Sequence, residues 1–259
     1  MEHDGIQNYS DPGPEFNIKS QELSVLKERL LEVAGEWPEE DARRMQDALR
    51  LAEVLHADDR HKDLPYVYHV VRVAVRIALY LEVKDPDILC AALLHDSVED
   101  HPEEIIKLNR VFTAEEAAAM SQRERQLEAL VVLNERFNPR VAGTVAAVTN
   151  QPEADRPNSY EAKIDTYAAK VGSAVTTSEG WLVKFGDWCD NGVGVIHDVE
   201  GQGDKHCHFQ RKYGRVLPIL EARFYEEDIQ QLVSVRAKAY VQRQFARGRE
   251  RLTVAEPLN

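Results

Sequence analysis

Apolar residues in this chain recur at helical spacing, block after block, and nowhere does the two-residue alternation of a half-buried strand persist. Leu23, Leu26, Leu30, Leu31 and Val33 mark a first helix that ends near Ala34. Pro38, a residue suited to a first helical turn, opens a second helix with Met45, Leu49, Ala52 and Leu55 on one face. Tyr68 to Leu81 and Ile88 to Asp100 read as two more, divided by the charged break Glu82-Val83-Lys84-Asp85-Pro86. Tyr160 to Val171 and Trp181 to Asn191 follow, and a charged helix runs from Glu226 to Leu252. The fold class expected is therefore all-α, a helical bundle with a helical insertion over Asn109 to Arg136 and a C-terminal helix. Residues 1–20 read as a disordered tail, 21–225 as the main domain and 226–259 as the C-terminal helix and tail.

Composition bounds the partners. No run approaches the roughly 18 apolar residues of a membrane span, so no membrane partner is expected. Three cysteines, Cys90, Cys189 and Cys207, show no motif spacing and suit free thiols in a reducing compartment, hence a cytoplasmic location. The net charge of −13, from 32 basic and 45 acidic residues, repels nucleic acid and anionic lipid over long range. No nucleic acid is expected as a partner. An anionic small molecule would need a local change of sign, and a bound cation is one way to supply it.

The densest chemistry lies in ILCAALLHDSVEDH, Ile88 to His101. Read as one helix, His95, Asp96, Glu99 and Asp100 fall within an arc of about 140° at its C-terminal end. Three carboxylates so crowded repel one another unless a cation joins them. His69 opens an otherwise apolar helix, and Asp187 ends an apolar run in WLVKFGDWCDN. Taken singly, His69 reads more often as a core or capping residue, and Asp187 as a helix-end acid paired with Lys184. Together with His95 and Asp96 they form a mixed nitrogen and oxygen set that suits Mn²⁺, Mg²⁺ or Fe²⁺.

The order His69, then His95-Asp96, then Asp187 resembles the H…HD…D signature of the HD-domain metal-dependent phosphohydrolases. More narrowly, ALRLAEVLHADDRHKDLPYVYHVVRVA, AALLHDSVEDHPEE, FNPRVAGTVAAVTN and LVKFGDWCDN are similar to segments of the RelA/SpoT-type hydrolase domain and the small alarmone hydrolases. Those enzymes remove the 3′-pyrophosphate of guanosine tetra- and pentaphosphate, the alarmones of the stringent response. The likeness spans roughly Ala48 to Arg223. It implies that His69, His95, Asp96 and Asp187 bind a metal, usually manganese, and that Glu99 and Asp100 position and activate the attacking water. It also implies that Arg60 lies against the nucleotide and that Asn191 contacts the nucleoside. Lys184, one turn before Asp187, would neutralise the leaving pyrophosphate, or else snorkel into solvent. The chain departs from the family at Asp63, where glycine is common, at Trp188 for arginine, at Asp190 for histidine and at Val70 for proline. Those departures bear on the substrate pocket.

The activity expected is thus metal-dependent hydrolysis of an alarmone 3′-pyrophosphate. Two alternatives stand beside it: an HD phosphohydrolase acting on another nucleotide or dinucleotide such as NADPH, and a regulatory, antitoxin-like binding module. Any homo-oligomer would form through the insertion or the C-terminal helix. His206, Cys207 and His208 suggest zinc only superficially, since alternate residues of a helix diverge. Arg211, Lys212 and Arg215 read as a phosphate-steering patch.

Overall fold

Helices form where apolar spacing and capping chemistry agree, and the computed structural model describes them over residues 17–61, 64–109, 112–194 and 203–252. In chain order they are α1 (Leu23–Ala34), α2 (Glu39–Leu55), α3 (Val67–Val75), α4 (Pro86–Leu94), α5 (Ser97–Asp100), α6 (Pro102–Leu108) and α7 (Ala114–Ala119). Then come α8 (Gln122–Arg136), α9 (Pro139–Val148), α10 (Tyr160–Ala174), α11 (Ser178–Trp188), α12 (Asp204–Phe224), α13 (Glu227–Leu232) and α14 (Val235–Leu252). The all-α class holds. The only extended pairing among the described residues is a minimal hairpin, β1 (Arg60–His61) against β2 (Leu64–Pro65), with Arg60 opposite Pro65. None of the described helices is long and apolar enough to cross a membrane.

Local chemistry accounts for the boundaries. Asp85 accepts hydrogen bonds from the amides of Asp87 and Ile88, with Pro86 in the first turn of α4. Thr113 with Glu116, and Ser121 with Glu124, form reciprocal capping boxes that start α7 and α8. The helix expected over Ile88 to Asp100 is in fact broken. It ends at Leu94, and α5 restarts after a turn in which the amides of Glu99 and Asp100 both bond the carbonyl of Asp96. The apolar run gives out at that point, and the turn aims His95 and Asp96 inward independently of one another. Two other helices end in widened turns: Leu81 N bonds Arg76 O at 3.0 Å after α3, and Gly194 N bonds Cys189 O at 3.1 Å after α11.

The Asn109 to Arg136 segment becomes α7 and α8, and α8 buries Ala129, Val132 and Leu133 against α6 and α9. Its opposite face leaves Leu127 and Val131 exposed. The C-terminal helix divides into α13 and α14, because Ser234 interrupts it and caps the amide of Ala237 at 3.1 Å. A single hydrophobic cluster extends from Ile18 to Leu252. At its centre Phe245 of α14 meets Phe185, Trp188 and Phe224 edge-on or tilted, with ring centroids 5.6 to 5.9 Å apart. Gly248 lies flat under Trp188, where a Cβ would come within 2.6 Å of the ring.

Candidate metal centre and its cleft

Three helix ends deliver one ring of donors. His69 lies in the first turn of α3, His95 closes α4, Asp96 occupies the turn that follows, and Asp187 sits in the last turn of α11. His69 Nε2 stands 3.5 Å from Asp96 Oδ2 and 3.5 Å from Asp187 Oδ1, and His95 Nε2 stands 3.1 Å from Asp96 Oδ2. Both imidazoles are buried. His95 Nδ1 donates to the Ala92 carbonyl at 2.7 Å, and His69 Nδ1 donates to Asp190 Oδ2 at 2.9 Å. Each ring thus commits its Nδ1 proton outward and aims Nε2 at the centre. His95 Nε2 makes no hydrogen bond despite its burial. A buried nitrogen that faces a carboxylate at 3.1 Å without a hydrogen bond, and is steered from behind, suits a divalent cation.

Asp190 is the residue whose part was least visible in the sequence. Read as a departure that bears on the substrate pocket, it is instead fully buried behind His69. The widened turn after α11 carries it there, and Arg72 grips it through Nε at 2.9 Å and Nη2 at 2.8 Å. Arg72 sits one turn beyond His69 on α3, so one helix supplies both the imidazole and the cation that neutralises its partner. Tyr66 donates to Asp96 Oδ2 at 2.6 Å, and Asn191 donates to Asp187 Oδ1 at 2.7 Å.

The charge balance points the same way. Burial alone would lower the pKa of His69, but hydrogen bonds to Asp187, Asp190 and Asp96 raise it well above the ordinary histidine value. Burial alone would raise the Asp96 carboxyl, yet His95 and His69 hold it well below the carboxylate range. Asp190 is held down likewise, by His69 and Arg72 against its burial. The carboxylates therefore demand positive charge at their midst, from a proton or from a metal.

Glu99 and Asp100 differ in their surroundings. Glu99 accepts from Arg156 Nη2 at 2.9 Å and from Asn150 Nδ2 at 2.8 Å. Asp100 is exposed to solvent at the edge, yet desolvation by the surrounding protein, then the charges of Asp96 and Glu99, push its pKa up to about 7. Beside them Asp59 Oδ2 accepts from His56 Nδ1 at 2.8 Å and His101 Nε2 at 2.6 Å. His56 stacks on Tyr66 with centroids 4.8 Å apart, so this trio braces the tyrosine that holds Asp96.

A cleft of about 500 Å³ begins at Glu99 and passes between α10 and α12. Arg156, Lys163, Lys170 and Lys212 line it together with Tyr160 and Tyr167. Sequence reasoning missed Arg156 and the α10 residues, although Tyr160, Lys163, Tyr167 and Lys170 recur at helical spacing beside the apolar face. Lys212 was read as one of a patch with Arg211 and Arg215. Only Lys212 lines the cleft; Arg211 and Arg215 face outward and pair with Glu161 and Asp165.

The other expected contacts fall as follows. Lys184 is buried, with Nζ 3.7 Å from Asp187 Oδ2, and does not snorkel into solvent. Asn191 contacts the donor ring itself. Arg60 is exposed on β1 and does not line the cleft. Trp188 is buried in the core and donates Nε1–H to the Tyr213 carbonyl at 3.1 Å. Asp63 lies outside the described residues.

The HD domain family matches residues 66–192, a span that contains all four donors. The guanosine-3′,5′-bis(diphosphate) 3′-pyrophosphohydrolase MESH1 of Drosophila melanogaster is 24% identical over 151 residues, covering 57% of this chain and 67% of that protein. The protein of the same name from Danio rerio is 37% identical over 71 residues, 26% of this chain and 39% of its own length. A solved structure of a metazoan ortholog of SpoT that hydrolyses ppGpp superposes with a TM-score of 0.52. It covers 81% of this chain and 96% of that one at 20% identity, a likeness of fold.

Proposed function

We propose that this chain, whose residues 66–192 match the HD domain family, is a metal-dependent phosphohydrolase that removes the 3′-pyrophosphate of guanosine tetra- or pentaphosphate. The observation that carries the reading is the ring of His69, His95, Asp96 and Asp187, with Glu99 standing between it and a cation-lined cleft. Similarity to the two curated pyrophosphohydrolases supports the choice of substrate. Neither Trp188 nor Asp190, two of the departures expected to bear on the substrate pocket, lines the cleft.

His69, His95, Asp96 and Asp187 would hold the cation; their nitrogen and oxygen donor set suits Mn²⁺, Mg²⁺ or Fe²⁺, and the resemblance to the alarmone hydrolases points to manganese. Such an ion polarises phosphoryl oxygens and lowers the pKa of a bound water towards neutrality. The residues of the chain divide the remaining work. Arg156 and Asn150 hold the Glu99 carboxylate in place, ready to orient a water by accepting its hydrogen. Asp100, with its pKa near neutrality, accepts the proton and returns it, as an efficient general base requires. Lys184, buried beside Asp187, balances charge as pyrophosphate departs. The free thiols of Cys90, Cys189 and Cys207 fit a cytoplasmic setting.

The test is product analysis with Mn²⁺-loaded protein on ppGpp beside nucleoside 5′-phosphates, triphosphates and NADPH, with Asp96→Ala as control. Pyrophosphate from ppGpp, abolished in the variant, is the expected result. Turnover of another member of the panel with ppGpp untouched would sink the substrate assignment. Turnover that survives Asp96→Ala would sink the metal centre.

A further inference from the structure

We propose that His56, Asp59 and His101 form a second metal site, a zinc clamp that shares no residue with the first centre. The site stands on its own geometry, whatever phosphate compound the chain hydrolyses.

The trio gathers where the chain leaves its helices. His56 closes α2, Asp59 lies in the turn that leads into β1, and His101 joins α5 to α6. Backbone hydrogen bonds fix all three: His56 N to the Ala52 carbonyl at 3.0 Å, Asp59 N to the His56 carbonyl at 3.3 Å, and His101 N to the Ser97 carbonyl at 2.9 Å. Two imidazoles and a carboxylate thereby bring one donor atom each to within 4.8 Å of the others. Among the described residues the only other such group is His69, His95 and Asp96 of the first centre.

The protonation chemistry fits a cation. His56 is fully buried, yet its Nε2 has no hydrogen-bond partner. Its proton can therefore pass from Nδ1 to Nε2 without breaking a bond on that side, which frees Nδ1 as a ligand. Burial lowers the His56 pKa and keeps the ring neutral. Burial would raise the Asp59 carboxyl, but the hydrogen bonds from His56 and His101 hold it below its ordinary value. Neutral imidazole and ionised carboxylate are the forms that bind metal.

The surroundings are acidic. Asp96 acts on His56, and Asp100 lies near both His101 and Asp59. Glu104 Oε2 stands 3.9 Å from His101 Nδ1, the nitrogen that Asp59 leaves free, in the place of the outer carboxylate that steers a ligating imidazole. Asp59 and His101 are half-buried, so water can complete the coordination. Two imidazoles, one carboxylate and a water match the ligands that zinc takes in open sites. Tyr66 stacks on His56 and donates to Asp96, so an ion here would also steady one wall of the first centre.

A full-length host carrying His95→Ala and Asp187→Ala isolates the clamp, because it removes two ligands of the first centre that make no hydrogen bond to the trio. Zinc affinity is read by competition with a chromophoric chelator, and Co²⁺ in place of zinc reports geometry through its visible absorption. The host is expected to bind one zinc ion per chain, to show the intense absorption of four-coordinate Co²⁺, and to gain Tm with added zinc. Asp59→Asn or His101→Asn in the host should weaken zinc by more than the roughly 10- to 100-fold cost of losing an outer partner, and should remove the absorption and the Tm gain. Asparagine at position 59 keeps a hydrogen-bond acceptor, so a trio that merely braces Tyr66 would survive that change. Should the host fail to fold by circular dichroism, the same two substitutions in the wild type decide, each expected to lower zinc content by one ion per chain in plasma mass spectrometry. A folded host that binds no zinc, or zinc held as tightly by either asparagine variant as by its parent, overturns the proposal.

Discussion

Asp190 shows how one side chain acts through another. It touches none of the other proposed ligands, yet it holds the Nδ1 proton of His69 and so directs Nε2 to the centre. Asp190→Asn should weaken metal binding by about 10- to 100-fold, the usual effect of losing such a partner, measured as Mn²⁺ affinity by electron paramagnetic resonance. A variant that bound Mn²⁺ as tightly as the wild type would show that His69 needs no orienting carboxylate. Asp100 makes a second prediction. In metal-free protein its carboxyl should titrate near 7 by carbon-13 resonance, because burial and the charges of Asp96 and Glu99 raise it. Glu99→Gln should lower that value, and saturation with Mg²⁺ should lower it further by adding positive charge. A folded-state value above the unfolded one means that this group contributes stability at low pH that is lost as pH rises through about 7. The depressed Asp96 and Asp190 act in the opposite sense, losing their contribution as pH falls through their folded values.

Helix ends, more than helix faces, built the centre. The break between α4 and α5 frees His95 and Asp96 from the geometry of one continuous helix, and the widened turn after α11 rotates Asp190 inward. Helix contacts depend on glycine where backbones approach. A Cβ on Gly180 would lie 1.9 Å from the Ala174 carbonyl, so Gly180→Ala must force α11 away from the end of α10. The expected cost is about 1–3 kcal/mol, seen as a lower Tm by calorimetry. Gly143, inside α9, has nothing within 4 Å of its Cβ position. Gly143→Ala should therefore stabilise by up to about 1 kcal/mol through helix propensity. A Tm that shifted the same way for both substitutions would contradict this packing.

The molecule as a whole closes on its last helix. Phe245 and Gly248 of α14 pack on Trp188, one residue beyond Asp187, and Tyr240 accepts a hydrogen bond from buried Arg76 at 3.1 Å. Truncation before Val235 should therefore abolish the near-ultraviolet circular dichroism of the aromatic cluster, and metal binding with it. Retention of both would mean that α14 is an accessory. Much was legible along the chain, because helical periodicity and capping residues act over a few neighbours: α1, α2, α10 and the all-α class needed no tertiary information. The types of the proposed ligands were legible too, since imidazoles and carboxylates at apolar helix ends carry an electrostatic demand wherever they fold. What periodicity could not reveal was partnership. Asp190 with Arg72, and Lys212 with the α10 lysines, come from segments far apart in sequence. Arg211, Lys212 and Arg215 look alike as a basic patch, yet only Lys212 turns into the cleft. The tertiary structure decided those matters, because burial and pairing depend on which helices pack together, and that is a property of the assembled core.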